Sequence, residues 1–274
     1  MKQPHVLPQF ARRVRSALPL VLVALLAQGL AGQSCGTKEQ QQKLASPVQA
    51  LGNLYEHPGG VVEAELVLVS TKEKEHVFLD SAREVQVRQE YGEAIPLTKD
   101  ASRAGRWAVT STENPALTFS AGKRYAFSFR LEDEPLAGDQ GSSYFQGEVV
   151  AIDDPVIPVA TSNAAQGFSL DLDVGQAFTG SRRGVLRVFG PTGALVHDNF
   201  DLTHPRFDGS KHAELIQQPK ITVPASAFQT AGNYRVVLYT MNYAAGFDEH
   251  LSAELGWLSG FLAGSAGELL VEVK

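Results

Sequence analysis

The chain has 274 residues, with 30 acidic and 24 basic side chains, a formal net charge of −6 and one cysteine. This acidic balance argues against nucleic acid as a partner, because proteins that bind phosphate backbones need a basic surface. One cysteine cannot form a disulfide within the chain, so the fold must be stabilised by buried apolar surface, which 43% hydrophobic residues can supply.

The first 34 residues contain the parts of a secretion signal in their usual order. The leader carries only positive charge, since no acidic residue precedes Glu39. The apolar run at 17–27 (ALPLVLVALLA) has the length of a signal's hydrophobic region and is shorter than the roughly 20 residues of a membrane-spanning helix. We therefore predict a cleaved signal peptide over residues 1–34. Its basic residues are Lys2, Arg12, Arg13 and Arg15.

Cys35 directly follows the small and polar stretch 29–34 (GLAGQS). That placement resembles the lipobox of bacterial lipoproteins, in which the cysteine receives a diacylglyceryl group and the signal is cut just before it. Ser34 fits the position before the cysteine. Three residues before the cysteine the family usually has leucine, but this chain has Gly32 there and its leucine at position 30. The resemblance implies that Cys35 is the lipidated first residue of the mature protein.

A lipidated Cys35 implies a protein that is anchored to a membrane of the bacterial cell envelope. If the cell has two membranes, the resemblance favours the outer membrane, on its periplasmic or surface face, because Gly36 stands in place of the aspartate of an inner-membrane retention signal. Ordinary secretion with a free thiol is the alternative. Arg12 and Arg13 also raise the alternative of a twin-arginine signal.

Residues 36–49 (GTKEQQQKLASPVQ) are polar and lack a sustained apolar period. We predict that residues 35–52, comprising the lipidated cysteine and the polar stretch after it, form a flexible tether. A short helix is the alternative on propensity grounds.

Beyond the tether, apolar residues alternate as they do in strands, and long helical stripes are missing. Turn signals such as 57–60 (HPGG) separate the runs at the spacing of an all-β domain. We predict a first antiparallel β-sandwich over residues 53–152. Its predicted strands are 61–69, 84–88, 107–110, 125–131 and 144–152.

A second set of strands follows residues 153–155 (DDP), where the proline marks a short linker. The turn at 190–193 (GPTG) predicts a hairpin, because proline presets φ and glycine accepts reversed dihedrals. We predict a second antiparallel β-sandwich over residues 153–274. Its predicted strands are 167–174, 184–189, 194–197, 220–223, 234–240 and 268–273.

Both halves place an Ala-Gly turn just before a tyrosine that opens an alternating strand, at 120–129 (SAGKRYAFSF) and 230–238 (TAGNYRVVL). This pattern resembles the tyrosine corner of immunoglobulin-like and fibronectin type III-like sandwiches, where the phenol hydroxyl bonds back to the preceding turn. The resemblance implies structural roles for Tyr125 and Tyr234 in two tandem immunoglobulin-like sandwiches. A single larger β-domain, such as a jelly roll, is the alternative.

The stretch 197–212 (HDNFDLTHPRFDGSKH) concentrates imidazoles and carboxylates in one predicted loop. Such groups bind Zn²⁺ or Ca²⁺ when a loop folds several of them together. The alternative is a solvated loop without a ligand. The candidate metal ligands are His197, Asp198, Asp201, His204, Asp208 and His212.

Residues 241–267 are unusually apolar for a segment between strands. Four leucines in it follow the spacing of one helical face, at 251, 255, 258 and 262, although three glycines oppose a helix. One hypothesis is a binding surface at the end of the second sandwich. The alternative is a strand or lid that belongs to the core. The candidate surface residues are Tyr243, Phe247, Trp257 and Phe261.

The sequence contains no glycine-rich phosphate loop, no His-Glu-x-x-His zinc helix and no Gly-x-Ser-x-Gly elbow. We therefore predict a protein that is not an enzyme and has no cofactor. The expected function is an envelope-anchored binding or structural interaction module, whose partner is an envelope protein or a polysaccharide. The alternative is metal binding, or a metal-dependent periplasmic activity, at the 197–212 loop.

Overall fold

Strands make up almost all of the regular structure, as the alternating apolar pattern predicts. The computed structural model describes residues 48–70, 77–131, 144–200, 215–244 and 260–274. Within these ranges there is one short 3-10 helix, Ala225–Ala227, and no α-helix. The predicted all-β fold is therefore confirmed. None of the described residues lies in a helix that is long and apolar enough to cross a membrane. The predicted signal peptide and Cys35 lie outside the described residues.

Each predicted strand overlaps an observed one, and the structure adds several short strands at the edges. In chain order the strands are β1 Val48–Glu56, β2 Val62–Ser70, β3 Val77–Phe78, β4 Ala82–Gln89, β5 Ala94–Pro96, β6 Thr98–Lys99, β7 Arg106–Thr110, β8 Arg124–Leu131, β9 Tyr144–Val150, β10 Val159–Ala160, β11 Leu170–Asp173, β12 Arg182–Phe189, β13 Leu195–Asp198, β14 Lys220–Val223, β15 Gly232–Ala244 and β16 Gly260–Val273.

The first strand corrects the predicted tether, because β1 begins inside the range 35–52. It lies between β16 and β2 in a large sheet, so side chains on both of its faces are buried. Ala50 and Leu54 face one core, while Leu51 and Tyr55 face another. A strand that is buried on both faces lacks the apolar and polar alternation by which half-buried strands are recognised.

A nine-stranded sheet joins the two predicted halves of the chain. Its main order is β13-β12-β15-β16-β1-β2-β7-β6, and β3 pairs with β2. The long strand β16 pairs antiparallel with β15 and parallel with β1. Strands from both sides of the predicted boundary at 152/153 therefore share one sheet, within one compact unit, Gln42–Lys274. The division into two separate tandem sandwiches is not confirmed.

Two smaller sheets cover one face of the nine-stranded sheet and create two cores. The four-stranded sheet, in the order β5-β4-β8-β9, packs against β1, β2 and β7, with Phe127, Phe129 and Phe145 among the buried side chains. The three-stranded sheet, in the order β10-β11-β14, packs against β12 and β15, with Leu172 and Val223 in its core. Side chains of β16 contribute to both cores.

The predicted linker at 153–155 is packed against the sheet. The Ser265 hydroxyl donates to Asp153 Oδ1 at 2.8 Å, and Arg182 forms an ion pair with Asp154. A Cβ atom on Gly267 would collide with the backbone of Val156, so the chain crosses β16 in close contact. The connection therefore runs over the shared strand, between the residues of β16 that enter the two cores.

Both tyrosine corners have the hydrogen bonds that the sequence predicts. The Tyr125 hydroxyl donates to the Thr118 carbonyl at 2.8 Å and accepts from the Ser120 amide at 2.9 Å. The Tyr234 hydroxyl donates to the Thr230 carbonyl at 2.8 Å. Both side chains are buried, so each hydroxyl satisfies turn backbone that would otherwise lack a partner.

Candidate functional site

The outer face of the nine-stranded sheet, opposite the two smaller sheets, carries a cluster of charged and aromatic residues. Side chains alternate along a strand, so Glu63 and Glu65 point away from the core that contains Ala64 and Leu66. Apolar neighbours such as Val67 belong to a third buried cluster on this same face. We call the following residues the charged cluster: Tyr55, His57, Glu63, Glu65, Asp100, Arg106, Arg187, Asp198 and Tyr239.

Arg187 on β12 is at the centre of the charged cluster. Its guanidinium carbon lies 4.5 Å from the ring centroid of Tyr55 and 5.6 Å from that of Tyr239, which are cation–π distances. Its Nε donates to Asp198 Oδ2 at 2.9 Å, and a terminal nitrogen lies 3.6 Å from Glu65 Oε1. The side chain is 13% exposed, so these contacts are made largely out of water.

Arg106 on β7 forms the second half of the charged cluster. Its Nε donates to Glu65 at 2.9 Å, and its two terminal nitrogens donate to Glu63 at 2.6 Å and to Asp100 at 2.7 Å. The amide of Asn53 also donates to Glu65, at 2.9 Å. The planar guanidinium thus binds three carboxylates at once, which lysine could not reproduce.

His57 connects the charged cluster to the turn after β1. One ring nitrogen, Nε2, lies 2.9 Å from Glu63 Oε2, and the other, Nδ1, lies 2.7 Å from the Tyr239 hydroxyl. Its ring also packs edge-on against Tyr239, with the ring centroids 5.6 Å apart. A carboxylate, an imidazole and a phenol are therefore connected in a chain of hydrogen bonds.

The electrostatics of the charged cluster follow from burial and close ion pairs. Burial alone would raise the pKa of Glu65, but Arg187, Arg106 and hydrogen bonds outweigh it and lower that pKa to about 2. Burial raises the pKa of Asp198 despite the nearby Arg187. Burial also raises the pKa of Tyr239 to about 12, so its phenol is neutral at neutral pH.

The innermost groups of the charged cluster are buried, and its outer groups are partly exposed. Tyr55 and Tyr239 have no exposed surface and Glu65 is 5% exposed, whereas the side chains of His57, Glu63 and Asp100 are 21%, 14% and 19% exposed. The ion pairs connect β2, β7 and β12, which come from both sides of residue 152. The ion pairs of the charged cluster therefore connect strands of the shared sheet that come from both predicted halves of the chain.

A cleft of about 600 Å³ opens beside the second core, between an edge of the nine-stranded sheet and an edge of the three-stranded sheet. Ile216, one of its lining residues, pairs with Gly184 of β12 before the chain enters β14. Apolar side chains line the cleft: Leu186, Leu215, Ile216 and Ile221. Its polar lining comprises His197, Asp198, Asn199, Gln217, Gln218, Lys220 and Thr222.

The structure gives Asp198 a different role from the predicted metal ligand. Its Oδ2 accepts from Arg187 and its Oδ1 accepts from the Phe200 amide at 2.8 Å, so both oxygens are engaged. His197 lines the cleft, and burial lowers its pKa. The described part of the chain contains no group of three or more possible metal ligands. The other candidates, Asp201, His204, Asp208 and His212, lie outside the described residues.

The predicted binding surface is corrected at Phe261, which is 1% exposed and lies in the first core. Its ring stacks on Phe127, and it fills a slot left by Gly52 and Gly147, where any Cβ atom would collide with it. Tyr243 is half-buried, with Arg183 5.7 Å from its ring centroid.

The predicted insertion 241–267 is also shorter than expected, because β15 extends to Ala244 and β16 begins at Gly260. Leu262, which was assigned to a helical face, is a buried residue of β16. This outcome agrees with the alternative that these residues extend a core strand. Phe247 and Trp257 lie outside the described residues.

Sequence reasoning missed Glu65, Arg106 and Arg187 as a connected set. A signal was present, since Glu63 and Glu65 share one face of an otherwise apolar strand, and Arg187 interrupts the apolar run of β12. A charge in such a position must find a partner when the strand is buried. The sequence does not say which partner, because the paired residues lie far apart along the chain.

Comparisons with known proteins do not place the chain in a family. No protein-family model matches it, and no curated protein matches it. Dimeric latent PorU from Porphyromonas gingivalis is 12% identical over 84% of this chain, which spans 19% of that chain, with a TM-score of 0.22. The human OSCAR ligand-binding domain is 16% identical, covering 83% of this chain and 100% of that one, with a TM-score of 0.22. Native alpha-2-macroglobulin from Escherichia coli, spanning domains MG0-NIE-MG1, is 11% identical, covering 86% and 93%, with a TM-score of 0.24. Similarity at these scores carries no argument about function.

Proposed function

We propose that this protein is a lipid-anchored binding module of the bacterial cell envelope, with an immunoglobulin-like β-sandwich body. The cleft beside the second core carries this proposal. Its volume of about 600 Å³ lies within the range of roughly 300 to 1,000 Å³ that is common for ligand sites. Four apolar and seven polar residues line it, so it offers a ligand both apolar contact surface and hydrogen-bonding groups.

The anchor follows from the order of parts at the start of the chain. A basic leader, an apolar run too short to span a membrane and Cys35 after small residues together support lipidation of that cysteine. A polar stretch separates Cys35 from β1 and would hold the β body away from the membrane surface. The two tyrosine corners support the immunoglobulin-like assignment.

Membrane fractionation of cells that express the full chain tests the anchor. We expect the wild-type protein in the envelope fraction, with Cys35→Ser either released as a mature chain or retained uncleaved. The physical reason is that several acyl chains bind a membrane stably, whereas a bare polypeptide does not. Identical fractionation and processing of the two proteins would refute lipidation at Cys35.

Capture from detergent-solubilised envelopes tests the binding role of the cleft. We expect a partner that the wild-type chain retains and Ile221→Asp loses, because a carboxylate would then project into the apolar lining. Val159→Asp is the matched control, since Val159 is exposed on β10, at the opposite edge of the same three-stranded sheet. Equal retention by both variants, with unchanged thermal stability, would contradict a binding role for the cleft.

A further inference from the structure

The β14 edge of the cleft has backbone groups that point away from its own sheet. The Val174 amide donates to the Pro219 carbonyl at 2.9 Å, so these two residues face each other across the ladder. Two residues further along, Leu172 and Ile221 are opposite each other and face inwards in the same way. In an antiparallel ladder, residues alternate between facing the partner strand and facing away from it. The N–H and C=O groups of Lys220 and Thr222 therefore point outwards, and both residues line the cleft.

The two walls of the cleft are both strand edges. Among the described strands, β14 is at one edge of the three-stranded sheet and β13 is at one edge of the nine-stranded sheet. An extended segment placed along β14 would continue the ladder and would direct every second side chain towards Leu186, Ile216 and Ile221. We propose that the cleft binds an extended peptide segment of a partner protein as an added strand on β14. This inference rests on the proposed binding function and names the class of ligand.

The charge and length of the edge define the peptide further. Lys220 is exposed and forms no ion pair with any described residue, while Asp173 opposite it accepts from the Gly175 amide at 2.7 Å. An acidic residue opposite Lys220 on the added strand would complement this charge. Pro219 and Pro224 bracket β14, so the ladder is short and suits one docked segment rather than open-ended pairing of sheets.

Peptide binding to the full chain in detergent tests the proposal by fluorescence anisotropy. The probe is a fluorescein-labelled heptapeptide in which valine alternates with glutamate and threonine. We expect saturable binding, and N-methylation of one alternate set of its amides should weaken binding by about tenfold, because the hydrogen bonds to the outward carbonyls of Lys220 and Thr222 are lost. Methylation of the other set should change affinity less than about threefold, since those amides face away. Absence of saturable binding, or equal effects of the two methylation patterns, would overturn the proposal.

Two proline variants provide the matched test on the protein. Thr222→Pro removes an outward N–H from β14 and should weaken the peptide by about tenfold. Ala160→Pro is the control. The Thr161 amide donates to the Asp171 carbonyl, so by the alternation of the ladder the Ala160 N–H points outwards, at the opposite edge of the same sheet. Thr222→Ala retains the outward N–H, loses the side-chain hydrogen bond to Asp171 and should bind like the wild type. Equal loss in Thr222→Pro and Ala160→Pro would refute the inference.

A charge reversal keeps the proposal testable if Thr222→Pro fails to fold. Lys220→Glu should prefer a probe with lysine in place of glutamate by several fold, and the wild type should show the reverse preference. No reversal of preference would overturn the proposal. If no peptide binds but the envelope capture is still lost in Ile221→Asp, only the peptide class of ligand is refuted. If the capture does not depend on Ile221, the binding role of the cleft itself is refuted.

Discussion

Replacing Arg187 by methionine tests whether the charged cluster stabilises the shared sheet. Methionine keeps much of the length of the side chain and removes the guanidinium. The two carboxylates that it contacts, Glu65 and Asp198, have side chains that are 6% and 9% exposed. They would lose a buried partner, and the rings of Tyr55 and Tyr239 would lose their cation–π contacts with Arg187.

The expected loss is about 3 to 5 kcal/mol of unfolding free energy, the usual result of removing one member of a buried ion pair. The pKa of Glu65 gives an independent scale. A fall from the ordinary value of 4.5 to about 2 corresponds to about 3 kcal/mol of stabilisation, to which Arg106 and Asn53 also contribute. For a domain of about 150 to 250 residues, the melting temperature should fall by about 6 to 20 °C.

The same substitution should change how stability depends on pH. A carboxylate with a lowered pKa in the folded state stabilises the protein above its unfolded pKa, and this contribution is lost as the pH falls through the folded value. In the wild type, the contribution of Glu65 should therefore decline between about pH 5 and pH 2. The raised pKa of Asp198 has the opposite sign and offsets part of this decline. Arg187→Met should flatten the Glu65 part of the profile.

Chemical denaturation followed by circular dichroism, repeated from pH 7 to pH 3, measures both effects. Arg235→Met is the matched control, because Arg235 also lies beside an aromatic ring and pairs with Glu268, but its side chain is 49% exposed. An exposed pair of this kind contributes about 0 to 1 kcal/mol. If the two variants lose the same stability, or if Arg187→Met loses less than about 1 kcal/mol, the charged cluster does not stabilise the sheet as we infer.

Two further predictions concern the slot around Phe261 and the metal hypothesis. Gly147→Ala should lower the free energy of unfolding by about 1 to 3 kcal/mol, because its new methyl collides with the Phe261 ring, and Phe261→Leu should relieve part of that loss in the double variant. Additive losses in denaturant titrations of the three variants would contradict this packing. After addition of equimolar Zn²⁺ or Ca²⁺ and dialysis into metal-free buffer, the protein should retain no metal that depends on Asp198, because this nearly buried carboxylate already pairs with Arg187. Metal retained by the wild type but lost in Asp198→Asn, measured by elemental analysis, would contradict this prediction and support the metal hypothesis.

Local features of the fold could be predicted from the sequence. The tyrosine corners were predictable because Tyr125 and Tyr234 bond to turns within a few residues of themselves. The strand β11 was predictable because its buried and exposed residues alternate. Features of this kind depend on residues that are close together in the sequence. A half-buried strand, for example, is indicated directly by the alternation of apolar and polar residues.

The shared sheet and the charged cluster could not be predicted in the same way. The parallel pairing of β1 with β16 joins strands from opposite ends of the described chain. The apolar pattern of either strand does not specify which strand will be its partner. Phe261 looked like a surface residue because its glycine slot comes from Gly52 and Gly147, which lie far away in sequence. An apolar residue reveals that it will be buried, but the sequence does not show which core receives it.

Asp198 connects the charged cluster to the cleft. It lines the cleft, and its carboxylate binds Arg187, whose guanidinium is fixed by two aromatic rings and by Glu65. The next residue, Asn199, accepts from the Leu186 amide at 2.6 Å, which attaches the same wall to β12. A binding cleft at a strand edge needs one wall that does not move when the other pairs with a ligand. Under the proposed binding function, the buried charges of the charged cluster would contribute to binding by fixing the β13 wall through Asp198.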